Sequence, residues 1–169
     1  MSCKVSFIGL GVMGYPMAGY ISKAGHNVTV FNRTKSKAEN WLKTYSGKMA
    51  ETPAEAAKDS DFVFTCVGND NDLKVVTFGE NGIFKSIKKG SIYVDNTTAS
   101  ATIAKEIYDY AIKNNFSFLD ARVSGGQAGA ENGTLTVMIG GDKKVKTKPK
   151  RIILKFDLII SIIIINYEL

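Results

Sequence analysis

Two short groups of residues in this 169-residue chain have types and spacing suited to chemistry. The first is Gly9-Leu10-Gly11-Val12-Met13-Gly14, directly after the apolar run CKVSFI and directly before a helical pattern. Its glycines fall at the G-x-G-x-x-G spacing. The first turns the chain sharply off a strand, the second lets main chain approach a diphosphate, and the third lets helix and strand pack closely. The helix beyond offers free N–H groups and a partial positive charge to phosphate. The second group is Asn32-Arg33-Thr34, followed by Lys35 and Lys37. A chain specific for NAD usually carries a carboxylate there, accepting from the ribose 2′-hydroxyl. This one carries an amide and a guanidinium, and a guanidinium forks onto a 2′-phosphate. NADP is the expected coenzyme, with NAD as the alternative.

The remaining candidates point to packing. His26, the single histidine, follows Gly25 and reads as a cap-region polar residue. Cys3 and Cys66 form neither a disulfide framework nor a metal motif, and Cys66 reads as a small apolar residue. Trp41 reads as core. Asp95 and Asp120 end strands, with no partner at fixed spacing to make either an acid–base pair. No metal site is expected.

The elements that must position these groups alternate. Strands are expected at CKVSFIGL, NVTVFN, DFVFTCVG, GSIYVDNT, FSFLDARVSGG and GTLTVMIGG. Helices are expected at GYPMAGYISKAGH, at TKSKAENWLKTY with Thr34 or Ser36 as cap, at TPAEAAKDS, and at SATIAKEIYDYAIKNN with Ser100 as cap. NDLKVVTFGENGIFKSI lies between two strands. Such β-α repetition predicts an α/β fold, a doubly wound and mostly parallel sheet of the Rossmann type. The last strand follows a glycine-rich stretch read as loop without a helix, so an antiparallel edge is expected.

FIGLGVMGYPMAGYISKAGHNVTVFNRT, FTCVGND, VDNTTAS and DARVSGGQAGAENGTLTVMIGGD together resemble the β-hydroxyacid dehydrogenase family. That family includes 3-hydroxyisobutyrate dehydrogenases and tartronate, glyoxylate and succinic semialdehyde reductases, and is related to 6-phosphogluconate dehydrogenase. The resemblance covers residues 1–142 and implies a coenzyme domain there, followed in the family by a helical domain. It implies that Gly9 to Gly14 hold the diphosphate and that Asn32, Arg33 and Thr34 meet the adenosine ribose. It further implies that Val67, Gly68 and Asn69 lie against the coenzyme and Thr98 near the nicotinamide. Ser124, Gly125 and Gly126 match the loop that receives a small carboxylate substrate, a role for which consecutive N–H groups in a glycine-rich turn are suited. Arg122 departs from the family, which usually has proline there.

The family's proton-donating lysine, and an asparagine one turn on, come from G-x-x-G-x-G-x-x-x-K-x-x-N-N, which this chain lacks. No catalytic residue is therefore assigned. After Asp142 the text becomes KKVKTKPKRIILKFDLIISIIIINYEL, basic and then Ile-rich. Residues 143–169 read as an aberrant tail without a domain of their own, as from a frameshifted or truncated gene, and the helical domain is expected to be missing. Seven of the 22 basic residues and two of the 16 acidic ones lie in that tail, so the part before it is nearly neutral. The basic balance is thus no sign of a nucleic-acid partner. The uncharged Ile-rich stretch is about half of the ~20 residues a membrane span needs. The chain is expected to be cytoplasmic, with an oligomer possible in the full-length family.

Overall fold

The computed structural model describes residues 2–141 and the backbone of 161–163. Residues 142–160, with the polybasic run, and residues 164–169 lie outside the described residues. One sheet runs in the order β3-β2-β1-β4-β5-β6-β7-β8. Its first six strands in that order are β3 (Lys48–Met49), β2 (Asn27–Phe31), β1 (Lys4–Ile8), β4 (Phe62–Thr65), β5 (Ile92–Asp95) and β6 (Ser117–Ser124). These are mutually parallel. Strand β7 (Thr136–Gly141) turns back antiparallel on β6, the edge expected from the sequence. Strand β8 (Ser161–Ile163) comes from the Ile-rich segment and pairs parallel with β7, Thr136 opposite Ser161.

Helices cover both faces, which is why β4 and β5 are buried at every position. On one face lie α1 (Gly14–Lys23) and α2 (Lys35–Thr44), where Met17, Ala18, Ile21, Ala38 and Trp41 pack against Val5, Phe7, Val28 and Val30. Trp41 is fully buried and its indole N–H donates to the Tyr15 carbonyl at 3.1 Å, which pins α2 to α1. On the other face lie α3 (Pro53–Ala57), α4 (Asp70–Phe78) and α5 (Ala101–Lys113). Their Ala56, Ala57, Leu73, Ile103 and Ile107 pack against Ile8, Val63, Tyr93 and Phe118.

The starts and stops follow local chemistry. Gly25, at φ +86°, ends α1. Thr52, Asn69 and Ser100 cap α3, α4 and α5 by accepting from the N–H groups of Glu55, Asp72 and Ile103. Thr34 occupies the cap position of α2 but its side chain accepts no capping bond. One expectation is corrected. The glycine-rich stretch before β7 contains a helix, α6 (Gly126–Asn132). Ala130 joins the core beside α1, the Tyr20 hydroxyl donates to the Glu131 carbonyl at 2.6 Å, and Gly133 in the left-handed region closes the helix. Tertiary packing overrides a composition that by itself favours loop.

Candidate functional site

Strand β1 lies between β2 and β4, and the chain leaves it in opposite directions across the sheet. Ligands in such folds bind at this switch point, beyond the carboxyl ends of the strands. A cleft of about 600 Å³ opens there, within the range of small-ligand sites. The loops after β1, β2 and β4 line it with Gly9, Gly11, Val12, Met13, Gly14, Asn32, Arg33, Thr34, Val67 and Gly68.

The three glycines do different jobs. Gly9 has φ +100°, and a Cβ on it would lie 2.2 Å from the Cys66 carbonyl oxygen. A Cβ on Gly14 would lie 2.0 Å from the Gly9 carbonyl oxygen, so α1 can begin this close to β1 only without one. Gly11 is the reverse case. Nothing stands within 4 Å of where its Cβ would be, and it lines the cleft. Its bare main chain is therefore available to a ligand. Met13, at the head of α1, supplies no side-chain cap, unlike the heads of α3, α4 and α5. Leu10 turns its side chain into the core while its N–H is held by Asn32. An open glycine wall at an uncapped helix head fits a diphosphate.

At the end of β2, the Asn32 amide works on main chain. Its Oδ1 accepts from the Leu10 N–H at 2.8 Å and its Nδ2 donates to the Thr34 carbonyl at 3.0 Å, tying the glycine turn to the β2 loop. Arg33 is largely exposed and its Nη1 meets Asp72 Oδ1 at 2.8 Å. Lys37 lines the cleft. Lys35 is paired with Glu51 at 2.7 Å, a contact that raises its pKa.

Beyond β4, Val67 and Gly68 line the cleft, and the Val67 N–H donates to Thr97 Oγ1 at 3.2 Å. Asn69 is the cap of α4. Thr98 is exposed, whereas Thr97 is buried. Behind them sits a polar cluster. Asp95 Oδ1 accepts from the Thr65 hydroxyl at 2.7 Å and the Thr97 N–H at 3.0 Å, and the Tyr93 hydroxyl lies 2.8 Å from Thr65. Burial raises the Asp95 carboxyl to about 6 against these hydrogen bonds, and the Asp120 charge adds to the rise. Asp95 and Asp120 are register partners on neighbouring strands, and Arg122 Nε lies 3.3 Å from Asp120. Burial, helped by the Asp95 charge, pushes the Cys66 thiol up to about 12, so it stays protonated.

Ser124 and Gly125 are exposed at the end of β6, and Gly125 and Gly126 have φ of +134° and +63° where α6 begins. This loop is not part of the lining of the cleft. His26 accepts from the Cys3 N–H through Nδ1 at 3.1 Å, joining the starts of β1 and β2. Among the described residues no cluster of three metal-ligating side chains occurs, and no helix is long and apolar enough to cross a membrane.

Sequence reasoning missed the opposite wall of the cleft, where Pro53, Asp72, Val75, Val76 and Asn81 stand. On that wall Val75, on α4, stands with its apolar side chain 68% exposed.

A profile of the NAD-binding domain of 6-phosphogluconate dehydrogenase matches residues 4–158. An "Uncharacterized oxidoreductase" of Shewanella frigidimarina is 61% identical over 140 residues, covering 83% of this chain and 48% of that protein. The "Probable 3-hydroxyisobutyrate dehydrogenase-like 2, mitochondrial" of Arabidopsis thaliana is 40% identical over 142 residues, 84% of this chain and 47% of that protein. The solved structure of Mycobacterium tuberculosis 3-hydroxyisobutyrate dehydrogenase with L-serine is 27% identical. It aligns with a TM-score of 0.87 over 99% of this chain and 56% of that one. The chain thus spans about half the length of the curated relatives it matches.

Proposed function

Because the chain belongs to the family of the NAD-binding domain of 6-phosphogluconate dehydrogenase, we propose that it is the coenzyme domain of an NADP-preferring oxidoreductase acting on a small 3-hydroxy acid or its semialdehyde. The observation that carries this reading is the cleft at the β1/β4 switch point, with an open glycine wall at one end and Arg33 at the other. The main chain of Gly9 to Gly14 holds the diphosphate. Asn32, Arg33 and Thr34, with Lys37 beside them, meet the adenosine ribose, and Arg33 takes its 2′-phosphate. Val67, Gly68 and Asn69 lie against the coenzyme, and Thr98 toward its nicotinamide. Ser124, Gly125 and Gly126 receive the substrate carboxylate. A nicotinamide coenzyme held there supplies or accepts the hydride. The substrate class is supported by two relatives named for 3-hydroxyisobutyrate and by the L-serine of the Mycobacterium structure, itself a 3-hydroxy carboxylate.

A second reading, a coenzyme-binding unit without turnover, is favoured by one observation. The G-x-x-G-x-G-x-x-x-K-x-x-N-N motif that carries the family's proton donor is absent from the 169 residues. A positioned general acid is worth about 10²–10⁴-fold, so slow turnover is expected even where coenzyme binds. The two readings separate in an assay of NADPH oxidation with glyoxylate, succinic semialdehyde or tartronate semialdehyde. A rate abolished by Ser124→Ala supports the enzyme, and NADPH binding with no rate supports the second reading. Arg33→Ala should weaken NADPH at least tenfold and leave NADH within about twofold, since a charge-assisted contact to phosphate is lost. Equal loss for both coenzymes contradicts the assigned NADP preference.

A further inference from the structure

Arg33 and Asp72 face each other across the cleft from unrelated elements, the loop after β2 and the first turn of α4, 39 residues apart in sequence. The Asp72 carboxylate is placed with some care. One oxygen takes Arg33 Nη1 at 2.8 Å, and the other lies 3.4 Å from the Asn69 amide nitrogen. That second oxygen sits over Gly68, where a Cβ would come within 2.8 Å of it and push the carboxylate aside. Asp72 is also the half-buried partner of the pair, its side chain 29% exposed against 85% for Arg33. The anion is therefore the fixed member and the guanidinium the movable one.

This arrangement supplies at the 2′ end of the cleft the carboxylate that the end of β2 lacks. A 2′-phosphate must draw Arg33 away from Asp72 or share it, and in sharing it the phosphate lies near a like charge. We propose that Asp72 is a specificity-determining residue that acts through Arg33 to restrain the preference for the 2′-phosphorylated coenzyme. The proposal rests on the coenzyme reading of the cleft given above. It makes the NADP/NAD selectivity a balance between two walls of the cleft rather than a property of the β2 loop alone.

The test titrates the full chain with NADPH and with NADH, following nicotinamide fluorescence at low and high potassium chloride. The chains compared are wild type, Asp72→Asn, Asp72→Ser, Arg33→Ala and the Asp72→Asn/Arg33→Ala double variant. Removing the carboxylate should tighten NADPH about three- to fivefold, the factor set by an exposed ion pair, with NADH unchanged or weaker. The gain should shrink at high salt and in the Arg33→Ala background. An NADPH/NADH ratio unaltered in both Asp72 variants overturns the proposal, as does an equal gain with and without Arg33. Failure of the wild type to bind either coenzyme would instead overturn the functional reading, and this proposal with it.

Discussion

Adding one methyl group at Gly11 and at Gly14 should have opposite consequences, although the two glycines are three residues apart in one motif. In Gly14→Ala the new Cβ starts 2.0 Å from the Gly9 carbonyl oxygen and 3.0 Å from the Phe7 ring. The obstacle is main chain, and Gly9 is itself held by its N–H bond to the Phe31 carbonyl at 2.9 Å. Relief requires the head of α1 to move by about 1 Å, the kind of overpacking that costs about 1–3 kcal/mol. Because backbone rather than a side chain must give way, the upper part of that range applies. At roughly 2–4 °C per kcal/mol for a chain of this size, the melting temperature should fall by about 6–12 °C. In Gly11→Ala the methyl meets nothing within 4 Å. Stability should stay within about 0.5 kcal/mol of wild type, while the methyl stands in the cleft where main chain and diphosphate must meet. NADPH affinity should drop at least tenfold, about 1.4 kcal/mol. Thermal melting by circular dichroism and an NADPH titration on both variants read the two effects separately. A Gly14→Ala chain that melts with wild type refutes the packing argument. A Gly11→Ala chain that binds with wild-type affinity refutes the placement of the diphosphate.

Other expectations concern the fold around the site. Between pH 3.8 and about 6 the native Asp95 keeps a proton that the unfolded chain has lost, so its contribution is greatest below pH 4 and is lost as the pH rises through 6. Asp95→Asn keeps an oxygen for Thr65 and Thr97 and removes that dependence, so it should gain up to about 3 kcal/mol on wild type at pH 7 relative to pH 4. Urea midpoints at the two pH values check this, and an equal difference at both would contradict it. Ser100→Ala removes the hydroxyl that caps α5 and donates to Asp70, while the bond from the residue-100 N–H to Asp70 stays. It should cost about 1 kcal/mol, a fall of roughly 2–4 °C in melting temperature, and an unchanged melting curve would show that the cap contributes nothing.

What could be read from sequence was what is local. The turn from β1 into α1 is written in consecutive residues, Gly9 and Gly14 answering to nearby main chain and Gly11 to the open cleft, and the Ser100 cap follows from spacing alone. The two-residue strand β3 is too short to carry a period. Helix α6 hides behind four glycines because its support comes from Tyr20, more than a hundred residues away. The cleft divides along the same line. Asn32, Arg33 and the glycine turn announce themselves, but Asp72 becomes a neighbour of Arg33 only after β4 has paired with β1 and delivered α4 to the opposite lip. Asp95 and Asp120 likewise meet only through strand register. The amide of Asn32, expected at the adenosine ribose, also braces main chain, because the glycine turn presents the Leu10 N–H to it.

Isothermal titration of the folded chain with NADPH and with NADH tests the central claim most directly. One saturable site per chain is predicted, tighter for NADPH and weakened at least tenfold by Gly11→Ala. No heat with either coenzyme at millimolar concentration, or a site indifferent to Gly11→Ala, would contradict a diphosphate cradle at the head of α1.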